Sequence, residues 1–119
     1  ERYGVAKGQS SIAFAGASDI KKFSRNTNTI QTAKILIFDK EASGIATPTL
    51  LIGDNEVAAA HAATVGKVSD DHLFYLQSRG LSEKEAKQLI TLGYLNPILN
   101  GFKDEDIKEE VNQVIRERL

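Results

Sequence analysis

Nine residues limit what this chain can become: Val57-Ala58-Ala59-Ala60-His61-Ala62-Ala63-Thr64-Val65, five alanines around one histidine. Alanine is depleted in sheets because its methyl covers little of a pleated surface. A strand this bare makes sense where neighbouring backbone must approach closely on both sides. Alternation puts Val57, Ala59, His61, Ala63 and Val65 on one face and Ala58, Ala60, Ala62 and Thr64 on the other. The imidazole is then either a satisfied, part-buried core group or a neutral ring held at an interface for a metal or a partner thiolate. One histidine makes no metal site, so further ligands would have to come from another chain or from sequence beyond this segment.

The sequence on either side divides into two compositional halves, residues 1–66 and 67–119. The first carries short apolar runs at Ser11-Phe14, Ile35-Phe38, Thr49-Ile52 and Val57-Val65, separated by Gly, Asn, Thr, Ser and Lys. These read as strands and turns, recurring irregularly about every 15–20 residues, as in a β-solenoid or a sandwich. Asp19-Phe23 alone offers a hint of helical spacing. Ile35-Leu36-Ile37-Phe38 is apolar at every position, which predicts cover on both faces.

From Ser69 onward the pattern is helical. Ser69 or Asp70 caps a helix running to about Ser78, with Asp70 and Asp71 at its positive end and Gly80 in the left-handed position beyond it. Ser82-Glu83-Lys84-Glu85 is a capping box that starts a second helix, whose stripe is Ala86, Leu89 and Ile90 and which Gly93 is expected to close. Asn96-Pro97 then predicts a separate short turn of helix. The last helix opens near Asp104, with Ile107, Val111, Val114, Ile115 and Leu119 at helical spacing and Arg116 and Arg118 at its negative end.

Charge and composition exclude several functions. Fifteen basic and sixteen acidic residues leave a formal charge of -1, and there is no cysteine. No electrostatic case for a nucleic-acid partner follows, because phosphate binding needs clustered positive charge. Disulfides and thiolate ligands are excluded from this segment. No signal peptide and no membrane-length apolar stretch is present, so the expectation is a cytoplasmic piece of a longer protein. The helix pair about Arg79-Gly80-Leu81 has helix-turn-helix length. Between Asp70 and Tyr94, however, four acids face three bases, so a nucleic-acid or other binding module is only the alternative. Leu73-Phe74-Tyr75-Leu76 is broader than one buried stripe requires, which fits simple packing onto the strand half or, as the sharper reading, an exposed apolar patch at Phe74 or Tyr75 for a protein partner. Gly66-Lys67 lacks the phosphate-loop spacing, His72 reads as a solvated first-turn residue, and no serine sits in a nucleophile motif. Nothing in the residues suggests an enzyme.

The run from Val57 to Lys67, followed by Leu73-Phe74-Tyr75-Leu76-Gln77-Ser78-Arg79-Gly80-Leu81 and Glu85-Ala86, resembles the C-terminal part of the SufB/SufD family. These are scaffold subunits of the SUF iron–sulfur cluster assembly machinery. The likeness covers about residues 30–100, and more loosely Phe14-Ala15-Gly16 and Gln31 to Phe38. It implies the last rungs of a right-handed parallel β-helix followed by a small helical domain. It also implies a SufB-like partner joined through the β-helix end and a SufC ATPase docked on the helices. SufB-like sequences carry a cysteine two residues before the histidine; Ala59 stands there here, which favours the SufD paralogue. By that likeness Ala59, His61 and Thr64 belong to the junction, with Phe74, Tyr75, Arg79 and Leu81 on the SufC side. No cofactor is expected on this fragment alone, since the iron–sulfur cluster would be assembled transiently by the complex. A homodimer of the fragment through its exposed end is a further expectation, and neither nucleic acid nor membrane is expected as a partner.

Overall fold

Strand alternation organises the first half of the molecule. The computed structural model describes residues 1–118, in two units, Glu1–Lys67 and a second beginning at Val68. The first holds five strands: β1 (Arg2–Ala6), β2 (Ser11–Ile20), β3 (Asn28–Ile37), β4 (Ser43–Ile52) and β5 (Ala58–Lys67). Successive strands alternate between two sheets, β1-β3-β5 and β2-β4, and every pairing is parallel. Arg2 lies opposite Ala33, Ser11 opposite Ser43 and Asn28 opposite Ala58, so like positions return after 31, 32 and 30 residues. The irregular spacing of apolar runs is half of that return, because neighbouring runs belong to different sheets. Asp19 and Ile20 end β2, and residues 21–23 form a corner, so the helical hint there was misleading.

The two sheets enclose the core. Ala6, Ile35, Ile37 and Ala42 are buried together, with Ile12, Phe14 and Ala46 packed against them. On β3 the odd-numbered residues from Gln31 to Ile37 are buried while the even-numbered ones are half-buried. Leu36 is therefore only partly covered, and the expected two-sided burial of this strand holds for one face. Gly44 lets the facing sheet come close, since a Cβ there would sit 2.7 Å from Ile35 Cγ2.

Corners stack as the strands do. Gly8 N–H donates to Asp39 Oδ2 at 2.6 Å and Gln9 Nε2 to Glu41 Oε2 at 2.8 Å. At the other corner Phe23 and Asn26 adopt positive φ, 67° and 60°. Phe23 N–H is held by Asp54 Oδ2 at 2.9 Å, and Asn26 N–H by the Glu56 carbonyl at 2.7 Å. Left-handed backbone is costly for an aromatic residue, and the carboxylate clamp offsets that cost.

The second unit contains α1 (Asp70–Ser78), α2 (Glu83–Leu99) and α3 (Glu105–Glu117). Ser69 caps α1 and Asp104 caps α3. Gly80 (φ 99°) ends α1, its N–H on the Gln77 carbonyl and that of Leu81 on Leu76, the double bond that closes many helices. Ser82 and Glu85 make the reciprocal capping box of α2. This helix does not stop at Gly93, nor is Asn96-Pro97 a separate turn: α2 runs through both to Leu99. Burial of Leu99, beyond the glycine, favours this continuation against a helix cost of about 1 kcal/mol for Gly93. Of the expected stripe, Ala86 is fully buried and Ile90 half-buried, but Leu89 is half exposed; the other buried residues of α2 are Thr91 and Leu99. Leu119, assigned from sequence to the stripe of the last helix, lies outside the described residues.

Candidate functional site

β5 is an edge strand: among the described residues it pairs with β3 alone. Along it only Ala59 and Gly66 are half-buried, and the other eight residues are exposed. Small side chains leave its backbone accessible, which is the physical requirement for adding a strand from another chain. His61 is exposed and lies in register with Gln31. Parallel partners share a face, so His61 stands over the column that on β3 is buried: Gln31, Ala33, Ile35. Ala59, opposite Thr29, lies on the same face. Thr64, opposite Lys34, is on the other face and exposed.

Gln31 is a residue that sequence reasoning did not single out. It is 7% exposed, and its Oε1 is buried without a hydrogen-bond partner. The only signal that could have found it is register, which a single strand's alternation does not supply. No group of three or more His, Cys, Asp or Glu able to hold a metal occurs among the described residues. Chemically, then, this edge offers one imidazole, and any further ligand would come from outside it.

The helical unit contains the other residues expected to meet a partner. On α1 no residue is buried; Phe74 is 73% and Tyr75 55% exposed. The Arg79 guanidinium lies 5.2 Å from the centroid of the Tyr75 ring, a cation–π contact that stiffens this surface. Leu81 is half-buried just past the helix end. Tyr75 and Arg79 thus form an exposed aromatic–cationic pair, with the exposed Phe74 next to Tyr75 in the chain. His72 is exposed. No helix among the described residues is long and apolar enough to cross a membrane.

A parallel two-sheet unit with a bare terminal strand, followed by three helices, is the architecture these residues define. Residues 2–94 match the family model described as the SUF system FeS cluster assembly, SufBD core domain. The chain is 36% identical over 118 residues to the iron-sulfur cluster assembly protein SufD of Bacillus subtilis (strain 168), covering 99% of this chain and 27% of that protein. It is 31% identical over 106 residues to SufD of Escherichia coli (strain K12), covering 89% of this chain and 25% of the relative. A SufBD family protein of Mycobacterium tuberculosis (strain ATCC 25618 / H37Rv) is 33% identical over 111 residues, covering 93% of this chain and 13% of its own length. The chain belongs to the SufB/SufD family of the SUF iron–sulfur cluster assembly system and is SufD-like. It spans about a quarter of the length of the two SufD relatives.

Proposed function

We propose that this chain is part of a non-catalytic scaffold subunit whose terminal strand joins a SufB-like subunit and whose helical unit receives the SufC ATPase. In this reading the five strands are the end rungs of a right-handed parallel β-helix, since parallel strands joined by crossovers are right-handed in about 98% of cases. The observation that carries the proposal is the edge strand β5, unpaired on one side, with the exposed His61 over the buried column. A partner strand laid along that edge would bring its own side chains level with the imidazole. There the iron–sulfur cluster is the cargo, and His61 contributes one nitrogen while the partner contributes thiolates. Ala59, standing where SufB-like sequences carry cysteine, leaves this subunit without a thiol of its own at that position. The exposed Phe74, Tyr75 and Arg79, with the half-buried Leu81 just past the helix end, support the docking of a protein on the helical unit.

The test is co-purification of the full-length protein with SufB- and SufC-type subunits, with and without Ala63→Trp. Ala63 shares the His61 face, and an indole there obstructs the edge while burying nothing that is now packed. Association with the SufB-type subunit is expected to fall at least about tenfold, and SufC binding to persist. Failure of the unsubstituted protein to bind either subunit would remove the reading, and self-association alone would assign the edge to a homodimer.

A further inference from the structure

The strand unit ends in two edges, and they differ. Both sheets add strands in chain order, β1-β3-β5 and β2-β4, so β4 and β5 close the same end of the unit. Another return of 32 residues beyond β4 lands in α1 and α2, so this chain lays no further strand beside it. A partner that reaches β5 therefore meets β4 as well.

In a parallel ladder the N–H and C=O of one residue point to the same side, and those of the next residue to the other. Ala58 N–H donates to the Thr27 carbonyl at 2.9 Å. Even-numbered residues of β5 thus face β3, while Ala59, His61, Ala63 and Val65 present donor and acceptor to the open side. On β4, Ser43 N–H donates to the Ser10 carbonyl at 3.0 Å and Gly53 N–H to that of Ile20 at 2.7 Å. Odd-numbered residues there face β2, which leaves Gly44, Ala46, Pro48, Leu50 and Ile52 for the open side. Proline has no N–H, and its ring fills the place of the hydrogen. The β4 row of donors is broken at its centre, whereas the β5 row is complete.

We propose that Pro48 closes the β4 edge to strand addition, so that a partner joins this end through one sheet only, by a strand laid along β5. A strand set against β4 would bury a carbonyl opposite Pro48 with no donor, at the full cost of desolvating that group. Proline is a general device against edge pairing; its effect here is a choice between neighbouring edges. It stops the one without the histidine and leaves the one that carries His61. The inference rests on the reading of β5 as the junction strand.

Residue-resolved amide exchange of the full-length protein, alone and with its SufB-type partner, separates the two edges. On complex formation the amides of Ala59, His61, Ala63 and Val65 are expected to slow about a hundredfold or more, and those of Gly44, Ala46, Leu50 and Ile52 to keep their rates. Slowing along β4 as well as β5 overturns the proposal and leaves the junction reading intact; slowing along neither, in a complex that has formed, removes the junction reading. Pro48→Val tests the residue without any partner subunit, since valine suits a strand and restores the N–H. In full-length protein carrying Ala63→Trp to obstruct β5, adding Pro48→Val is expected to tighten self-association about tenfold in sedimentation. Equal self-association with and without Pro48→Val overturns the role given to Pro48, whether or not the partner binds.

Discussion

Ile35, paired with Val65, and His61, paired with Gln31, lie on the same face of neighbouring strands, yet their substitutions should behave oppositely. Ile35 is 1% exposed and packs with Ala6, Ile37 and Ala42. Ile35→Ala is expected to destabilise the protein by about 2–5 kcal/mol in urea unfolding, since it removes buried methyls and leaves a void. Gly44→Ala presses a methyl into Ile35 Cγ2 and is expected to cost about 1–3 kcal/mol by the same measurement. His61→Ala, on an exposed edge position, should change stability by about 1 kcal/mol or less while lowering cluster production. The imidazole was visible in the sequence because it interrupts an alanine run. Gln31 was not, because its place beneath His61 depends on a pairing 30 positions away, and alternation within one strand says nothing about which other strand lies alongside.

At the scale of elements, caps were legible and lengths were not. Ser69, Ser82, Gly80 and Asp104 act through bonds made within a few residues, so local sequence contains the whole signal. Continuation of α2 through Gly93 and Pro97 goes instead with the burial of Leu99, a tertiary effect that local punctuation does not report. Strand β1 went unread for a similar reason: Arg2–Ala6 is short and mixed in polarity, and it is a strand because β3 pairs with it. The capping box makes a direct prediction. Ser82→Ala should cost the helical unit about 1 kcal/mol. The Ser82 hydroxyl and backbone N–H hold the Glu85 carboxyl below its ordinary value. A lowered folded-state pKa gives stability that is present above the unfolded value and is lost as the pH falls through the folded one. Helix content followed by circular dichroism should therefore decline in acid, below the ordinary glutamate value of about 4.3. Glu85→Gln, which can still close the box, should flatten that decline; an unchanged acid profile would remove Glu85 from it.

For the whole molecule the question is what lies against β5. Strands followed by helices were readable from the switch between short apolar runs and capped, periodic segments, but the irregular spacing left a solenoid and a sandwich open, and parallel pairing came only from the resemblance. The assignment of successive strands to two sheets was not, since the apolar runs themselves are alike in the two sheets. The role proposed for His61 presupposes that a second chain adds to this edge. Amide hydrogen exchange of the full-length protein, alone and with its SufB-type partner, tests that most directly. Those amides of residues 58–67 that point away from β3 are expected to slow about a hundredfold or more on complex formation, as newly paired groups do, while those of β1 and β2 keep their rates. Unchanged exchange along β5 in a complex that has demonstrably formed would contradict the account.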